Sequence, residues 1–268
     1  YGSGILAGDQ TAVDGVKMGT IDIGSCASNN ISGYTNAFLF ADFPYIFDSI
    51  ESSHRVWWGD IGEEAKQKAE KDIGAKVLFY LDTGGGFRLL ANNLKTVKTP
   101  DDLKGMKLRS TATPIEIALL KAWGAAPTPV PWPEVYTALE QKVVVGEHLQ
   151  PVWLFEAKHY EALQYLTEVN AMANVHIALM SHKAWDNLSP QFQQVIMEAG
   201  GKTQEFWAQG DAAKGQKTLQ HPLNAGLELY KPTEEEALLW ERLGKSIWPQ
   251  FYDQVPEELV NRIIEVQK

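Results

Sequence analysis

An arginine that closes a strand-like run is the residue best suited to binding chemistry in this sequence. Arg109 follows Lys107 and Leu108 and precedes a polar loop over 110–113. A guanidinium presents a planar fork of donors that matches a carboxylate edge to edge, whereas a lysine ammonium supplies charge without that geometry. Taken alone, Arg109 either binds an acid group in this way or forms an exposed ion pair at a strand end.

A run of glycines bears on how such a site is positioned. Gly84, Gly85 and Gly86 stand between two strand-like segments, 76–81 and 87–91. Glycine adopts backbone angles that other residues avoid. The run therefore predicts either a turn or bulge within one sheet, or a crossover between two lobes, where a hinge needs backbone freedom.

The composition limits the classes of function. The chain has 268 residues, 44% of them hydrophobic, which is enough for about two domains. Its net charge of −10 repels phosphate backbones and disfavours a nucleic-acid partner. The single cysteine, Cys26, stands among small residues and is expected to be a buried thiol. No Cys/His cluster predicts a metal, and we expect no cofactor.

Signals for targeting and catalysis are weak. No stretch reaches about 18 apolar residues. Residues 1–4 lack the charged region of a signal peptide, which leaves either a cytoplasmic chain or a processed export product. The motifs GxGxxG, HExxH and GxSxG and the Walker loop are missing. Glu147 and His148 are neighbours that would face opposite sides of a strand, so we expect a binding protein and not an enzyme.

Short apolar runs alternate with helical stretches, a pattern typical of α/β folds. The predicted strands are 21–27, 76–81, 87–91, 107–110 and 177–180. The predicted helices are 9–18, 114–123, 133–141, a long one from 189 to about 219, and one that begins at a capping box of Thr233 and Glu236.

Four segments taken together carry a family resemblance. They are 8–24, 42–47, 99–109 and 124–147, and the last two contain Asp-Leu-Lys-Gly-Met-Lys-Leu-Arg and Glu-Val-Tyr-Thr-Ala-Leu. No single segment is specific. Their order and separation resemble the DctP-type solute-binding proteins of tripartite ATP-independent periplasmic (TRAP) transporters, and the resemblance extends from residue 1 to about residue 200.

This resemblance implies an α/β fold of the two-lobed periplasmic-binding-protein type. Each lobe would be a mixed sheet flanked by helices, and a long helix would be shared between them. One lobe would comprise 1–85 and 174–212, and the other 86–173 and 213–268. The glycine run and 170–174 would be the crossovers. The family has a strand and a helix before residue 1, so we expect the chain as given to be shortened, with 1–4 ending a strand.

The resemblance also implies a ligand site in the cleft between the lobes. In the family, the arginine at the position of Arg109 pairs with the ligand carboxylate. Arg88 occupies the position of a second arginine, which reaches the same group or forms an ion pair at the hinge. Trp132 lies where the family places an aromatic wall, and Trp153 is a further candidate, although either is also compatible with a core position.

Two departures from the family pattern affect the expected ligand contacts. Val145 stands where the family commonly has aspartate, and His148 or Gln150 replaces an amide that the family often supplies; a structural role for His148 remains open. The segment with Ser28 and Asn29 is small and neutral. Together with the tryptophan wall, it favours an acid with an apolar or aromatic body over an amine-bearing sugar acid.

The second predicted crossover supplies further candidates for hydrogen bonds to a ligand, namely Asn170, Asn174 and His176. The function implied is a periplasmic receptor that captures a small organic acid and delivers it to the TRAP membrane subunits. Three alternatives stay open: the binding protein of an ATP-driven importer, a periplasmic enzyme acting on a small acid, and a structural periplasmic protein without a ligand.

Overall fold

The chain folds into two β-sheets with helices packed around them. The structure, a computed structural model, describes residues 8–82 and 84–268, so residues 1–4, expected to end a strand, and Thr83 of the first crossover lie outside it. Within these residues the strands are β1 (Ile23–Ala27), β2 (Ala75–Asp82), β3 (Leu89–Asn92), β4 (Lys107–Ser110), β5 (Ala126–Pro129), β6 (Gly146–Leu149), β7 (Tyr165–Thr167), β8 (Val175–Ser181) and β9 (Glu228–Tyr230). The α-helices are α1 (Asp9–Met18), α2 (Ile50–Trp57), α3 (Asp60–Ile73), α4 (Pro114–Ala122), α5 (Val135–Glu140), α6 (Pro151–Glu156), α7 (His182–Asp186), α8 (Pro190–Asn224), α9 (Glu234–Lys245) and α10 (Glu257–Gln267).

The two sheets differ in their pairing. The first has three strands in the order β1–β8–β2, and both pairings are antiparallel. The second has six strands in the order β5–β4–β6–β3–β7–β9. Its β4 runs parallel to β5 and β6, β7 runs parallel to β9, and β3 runs antiparallel to β6 and β7. The predicted fold class, α/β with mixed sheet pairing, is confirmed.

The chain passes from one sheet to the other at the glycine run. It leaves the first sheet after β2 and enters the second at β3, and it returns through 168–174 to form β8. Gly84, Gly85 and Gly86 have φ angles of 111°, 76° and 124°. Side chains are strained at such angles, which explains the three glycines. Of the two predictions, the crossover is therefore correct and the bulge within one sheet is not.

The long helix α8 contacts both parts of the molecule. It packs against β2 of the first sheet and against α6, which directly follows β6 of the second. The predicted long helix is confirmed, but it continues to Asn224, beyond the predicted end near residue 219. Gly200 and Gly201 lie inside it without interrupting it. Across the described residues, no helix combines the length and the apolar character needed to cross a membrane.

Local capping signals explain several element boundaries. The Thr233 hydroxyl accepts from the Glu236 backbone N–H at 3.3 Å, and the Glu236 carboxylate accepts from the Thr233 N–H at 2.8 Å, as the predicted capping box requires. The helix predicted over 133–141 instead begins at Val135, after a 3₁₀ turn over Trp132–Glu134.

Aromatic side chains fill much of the core. Phe38 lies edge-on to Tyr80 with ring centroids 5.8 Å apart, close to the buried Trp57. Trp123 meets Trp240 edge-on at 4.9 Å, which fixes α9 on α4. Cys26 is fully buried, as predicted.

The C-terminal helix packs on the first-sheet side of the molecule. α10 contacts α2, and the Gln267 side chain accepts from the Ser52 hydroxyl at 2.7 Å and from the Asp48 N–H at 2.9 Å. The resemblance assigns 213–268 to the second lobe, and that division stays a prediction. Within this range, α10 contacts α2, and its Arg262 forms an ion pair with Glu64 of α3 at 2.7 Å.

A matched pair of glycine substitutions in α8 tests how closely this helix approaches the crossover. A Cβ at Gly215 would overlap the backbone of Gly85, so Gly215→Ala should destabilise the fold by about 1–3 kcal/mol. At Gly201 a Cβ meets open space, so Gly201→Ala should stabilise it by about 0.5–1 kcal/mol through helix propensity. Urea unfolding measures both free energies, and effects of the same sign would contradict the described packing.

Candidate functional site

A cavity with about 500 Å³ of empty space, part of it open to solvent, lies between the two sheets. On one side, its lining comes from the start of α1, the end of β1 with the turn after it, and β8. On the other side, it comes from Arg88 just before β3, from β4 and β6, and from segments that follow these two strands. The predicted site residues that line it are Asn29, Arg88, Arg109, Trp132, His148, Gln150 and Trp153. His176, named as a further hydrogen-bonding candidate, also lines it.

Arg109 is a buried cation without a counter-ion among the residues that the structure describes. It lies next to the last residue of β4, its side chain lines the cavity, and the residue is 4% exposed. Its Nε donates to the Val130 carbonyl at 3.1 Å, and the guanidinium carbon lies 5.6 Å from the centre of the Trp132 ring. Within residues 8–82 and 84–268, its terminal nitrogens make no hydrogen bond and no ion pair.

The electrostatics of Arg109 follow from this burial. Loss of hydration lowers the pKa of Arg109, and the negative charges of Glu116 and Glu147 oppose that shift. A guanidinium nevertheless stays protonated in proteins. A buried charge is costly unless it is paired, so the unpaired guanidinium of Arg109 favours the binding of an anion.

Arg88, in contrast, already has a carboxylate partner. Its Nη1 lies 2.7 Å from Oε1 of the fully buried Glu116 and also donates to the His148 carbonyl at 3.2 Å. Thr111 completes the arrangement, because its N–H donates to Oε2 of Glu116 at 2.9 Å and its hydroxyl donates to the same oxygen. The hinge ion pair that the sequence left open is therefore formed, while the Nε of Arg88 remains without a partner among the described residues.

Glu116 is held ionised by these neighbours. Burial raises the pKa of the Glu116 carboxyl, but Arg88, His148 and Arg109 together bring the pKa well below its usual range. The position lies in the first turn of α4, where a carboxylate is also favoured by the helix dipole. Sequence analysis did not identify Glu116, because an acidic residue in a first helical turn is ordinary.

Two tryptophans form an aromatic wall of the cavity. The rings of Trp132 and Trp153 meet edge to face, with centroids 6.1 Å apart and planes at 74°. Trp153 stacks on His176 at 5.8 Å, and Trp132 packs against His159 at 4.8 Å. Nδ1 of His159 lies 2.6 Å from the buried carboxylate of Glu147, so this pair supports the wall from behind.

Three polar side chains of the lining have unused hydrogen-bonding capacity. Both amide atoms of Asn29, which is 1% exposed, are buried without a partner in the described structure. His148 is fully buried, and its Nδ1 lies 3.5 Å from Glu116, too far for a well-formed hydrogen bond. Burial lowers the pKa of His148 and so favours its neutral form. Gln150, also buried, makes no side-chain hydrogen bond with the described residues. Such groups are costly to bury unless a ligand or water satisfies them.

Three predicted site residues lie outside the lining. Ser28 and Asn174 are buried in a separate network around Asp42, none of which lines the cavity. Asn170 is exposed, with a left-handed φ of 50° in the second crossover. His176, in β8 just after the crossover, thus reaches the cavity, whereas the two asparagines of the crossover do not line it.

Asp9 is a cavity residue that sequence analysis missed. Its Oδ2 accepts from the Asn30 side chain at 2.7 Å and from the Ala27 N–H at 3.2 Å, which ties the start of α1 to the loop after β1. It places a carboxylate on the cavity, together with Asn30 and Thr111. The only sequence signal for Asp9 is its position in the first turn of a helix, where an acidic residue is common for structural reasons.

Two β-sheets flanked by helices, with a cavity between them that contains a buried cation and an aromatic wall, are typical of a two-lobed ligand-binding protein. The family model for bacterial extracellular solute-binding proteins, family 7 (DctP), matches residues 1–254. The chain belongs to this family. The relatives include the 2,3-diketo-L-gulonate-binding periplasmic protein YiaO of Escherichia coli K12, which is 32% identical over 266 residues, covering 98% of this chain and 79% of the relative.

Solved structures agree with this membership. A TRAP periplasmic solute-binding protein from Sulfurospirillum deleyianum with bound succinate is similar at a TM-score of 0.92 and 26% identity, covering 98% of this chain and 86% of the other. One from Haemophilus influenzae with bound L-gulonate is similar at a TM-score of 0.91, with the same identity and coverage. The chain is thus a TRAP-type solute-binding protein. This excludes the enzyme, the ATP-driven importer and the ligand-free structural protein that the sequence left open.

The Arg88–Glu116 pair provides a test of the site's electrostatics. Glu116→Gln leaves the buried Arg88 without its counter-ion, so we expect a loss of about 3–5 kcal/mol in the free energy of unfolding, measured with urea. Glu64→Gln removes the partner of Arg262 in an exposed pair and serves as the control, with an expected loss below about 1 kcal/mol. Equal losses would mean that the buried pair is not held as described.

Proposed function

We propose that this protein captures a small organic acid through an ion pair between Arg109 and the ligand carboxylate. The observation that carries the proposal is the burial of Arg109 without an anionic partner in the described residues, on the wall of the cavity between the sheets. Val130 occupies Nε, which leaves the two terminal nitrogens to form the bidentate contact that carboxylates favour. Trp132 covers one face of the guanidinium and limits its orientation.

The remaining lining indicates the body of the acid. Asp9, Asn29 and Gln150 offer further acceptors and donors, while Trp132 and Trp153 offer a flat apolar face. The neutral loop after β1 favoured an apolar or aromatic body at the level of sequence. Because Asp9 adds a carboxylate that an aromatic ring cannot satisfy, we propose a hydroxylated acid, whose hydroxyl groups would donate to Asp9 and whose carbon skeleton would lie on the tryptophans.

Capture is proposed to involve closure of two lobes. They correspond to 1–85 with 174–212 and to 86–173 with 213–268, with α10 packed on the first. Closure removes water around Arg109 and strengthens its attraction for the carboxylate. The loaded receptor would deliver the acid to the TRAP membrane subunits, and its location would be the periplasm. The family and the acids bound by its relatives support these steps.

A thermal-shift panel tests the class of ligand. Succinate, L-gulonate, D-glucuronate and phenylacetate are compared at equal concentration. A bound acid at 100 times its dissociation constant stabilises the fold by about 2.7 kcal/mol, or roughly 5–10 °C for a chain of this size. We expect the hydroxylated acids to give the largest shift. A larger shift with phenylacetate would favour the aromatic body, and no shift with any acid would count against the receptor's proposed ligand class.

Substitution of Arg109 tests the ion pair. Arg109→Ala should weaken the best-binding acid of the panel by roughly 30-fold to several thousand-fold, because the ligand carboxylate would be buried without its cation. Arg109→Lys keeps the charge but loses the planar fork, so an intermediate loss is expected. Arg262→Ala, which removes an exposed arginine, is the matched control and should leave affinity unchanged in calorimetric titration. Wild-type affinity in Arg109→Ala would disprove the assignment.

A further inference from the structure

A buried carboxylate outside the cavity connects three separate parts of the chain. Asp42 has no exposed surface. Its Oδ2 accepts from the Thr113 hydroxyl at 2.8 Å, and its Oδ1 accepts from the Asn174 side-chain amide at 2.9 Å. The same Asn174 nitrogen also donates to the Ser28 hydroxyl at 3.4 Å. Within the described ranges, 8–82 and 84–268, Asp42 forms no ion pair.

These partners come from both sides of the cavity. Asp42 and Ser28 follow β1 of the first sheet, and Asn174 directly precedes β8 on the second crossover. Thr113 stands at the N-cap of α4, which follows β4 of the second sheet. Its side chain makes no capping hydrogen bond, so its hydroxyl is committed to Asp42 and not to the helix. The same helix carries Glu116, the partner of Arg88.

We propose that Asp42 is a positioning residue for ligand capture, whose carboxylate bridges Thr113 and Asn174 and thereby latches the first-sheet side of the cleft to the start of α4. Asp42 does not line the cavity, so it acts on affinity through closure and not through contact. The latch gives Ser28 and Asn174 a role that differs from the ligand contacts expected from the sequence. Its consequence for transport rests on the proposed receptor function.

The surroundings of Asp42 make the latch sensitive to pH. Burial raises the pKa of Asp42 to about 7, against the hydrogen bonds from Thr113 and Asn174 and the positive charge of Arg88, while Glu116 raises it further. Asp82, which contacts His54, faces Asn174 across a small hollow on the other side. No other charged group among the described residues acts on Asp42 as directly as Arg88 and Glu116.

The direction of the pH effect follows from burial. Opening exposes the carboxylate to water and removes the main cause of its raised pKa, so closure takes up a proton between the ordinary carboxyl pKa and about pH 7. Because the pKa of Asp42 is raised in the closed form, its protonation stabilises that form fully at low pH. This stabilisation is lost as pH rises through about 7. When protonated, Oδ2 donates to the Thr113 oxygen, so the bridge persists without a buried charge.

Small-angle X-ray scattering of the acid-free protein at about pH 5.5 and about pH 8.5 tests the latch without a ligand. A compact chain of 268 residues has a radius of gyration of about 18 Å. We expect the wild-type radius to increase measurably from the lower to the higher pH. Asp42→Asn is neutral, nearly isosteric and able to keep both hydrogen bonds, so its radius should stay at the low-pH value throughout. This comparison also separates Asp42 from the cavity histidines His148 and His176, which the variant retains.

Two hydroxyl variants distinguish a latch from a general packing effect. Thr113→Val removes the bridge without uncapping α4 and should be expanded at both pH values. Thr167→Val removes another buried hydroxyl bond, to the Val97 carbonyl, and should lower Tm while keeping the wild-type scattering profile. A wild-type radius independent of pH, or an equal increase in Asp42→Asn, overturns the proposal. Without ligand, Arg109→Ala should scatter like the wild type at both pH values. The scattering therefore tests the latch independently of whether Arg109 binds an acid.

Discussion

Burying the Arg109 guanidinium removes most of its hydration, and the described protein replaces only part of it. One nitrogen has the Val130 carbonyl and one face has the Trp132 ring, but the counter-charges of Glu116 and Glu147 act only from a distance. An isolated buried cation is among the more costly groups in a fold. Its retention on the wall of a cavity is understandable if an anion completes the site, and the organisation of the neighbouring elements follows from that requirement.

The two arginines of the cavity differ in their electrostatic surroundings. Arg88 is neutralised by Glu116, whose second oxygen is held by Thr111, so this pair forms a fixed and nearly neutral platform. Arg109 remains the cation with free donors. Because Glu116 neutralises Arg88, Arg88 attracts a ligand carboxylate less strongly than Arg109 does. The ionised Glu116 also stabilises the charged form of the nearby Arg109.

Sequence analysis reached the fold and the central residue because their signals are local or carried by the family motif. The bounds of α1 and β4 matched the prediction, and Arg109 was placed at the cavity. The strands β7 and β9, with three residues each, are too short to show alternation, and β5 contains prolines that argue against a strand. These strands were missed because they are fixed by pairing with distant neighbours.

The partners within the site could not be predicted for a related reason. Glu116 lies 28 positions from Arg88, and Asp42 lies 132 positions from Asn174. Each residue, read in its own segment, has an ordinary structural explanation, and only the fold brings the pairs together. Asp9 is similar, since its carboxylate gains its importance from the loop after β1 that it contacts. Charge pairing between remote segments is therefore the part of the site that required coordinates.

The tight turn after β1 links ligand contact to the network behind the cavity. Ser28 and Asn29 are neighbours in a 3₁₀ turn over Ser28–Asn30, yet they point to different places. Asn29 lines the cavity with both amide atoms unpartnered among the described residues, whereas Ser28 accepts from Asn174 in the Asp42 network. Because such a short turn leaves little independent freedom, a ligand that bonds to Asn29 also restrains Ser28. A ligand bound at the arginine side of the cavity would therefore also order this turn, as the proposed coupling between capture and closure requires.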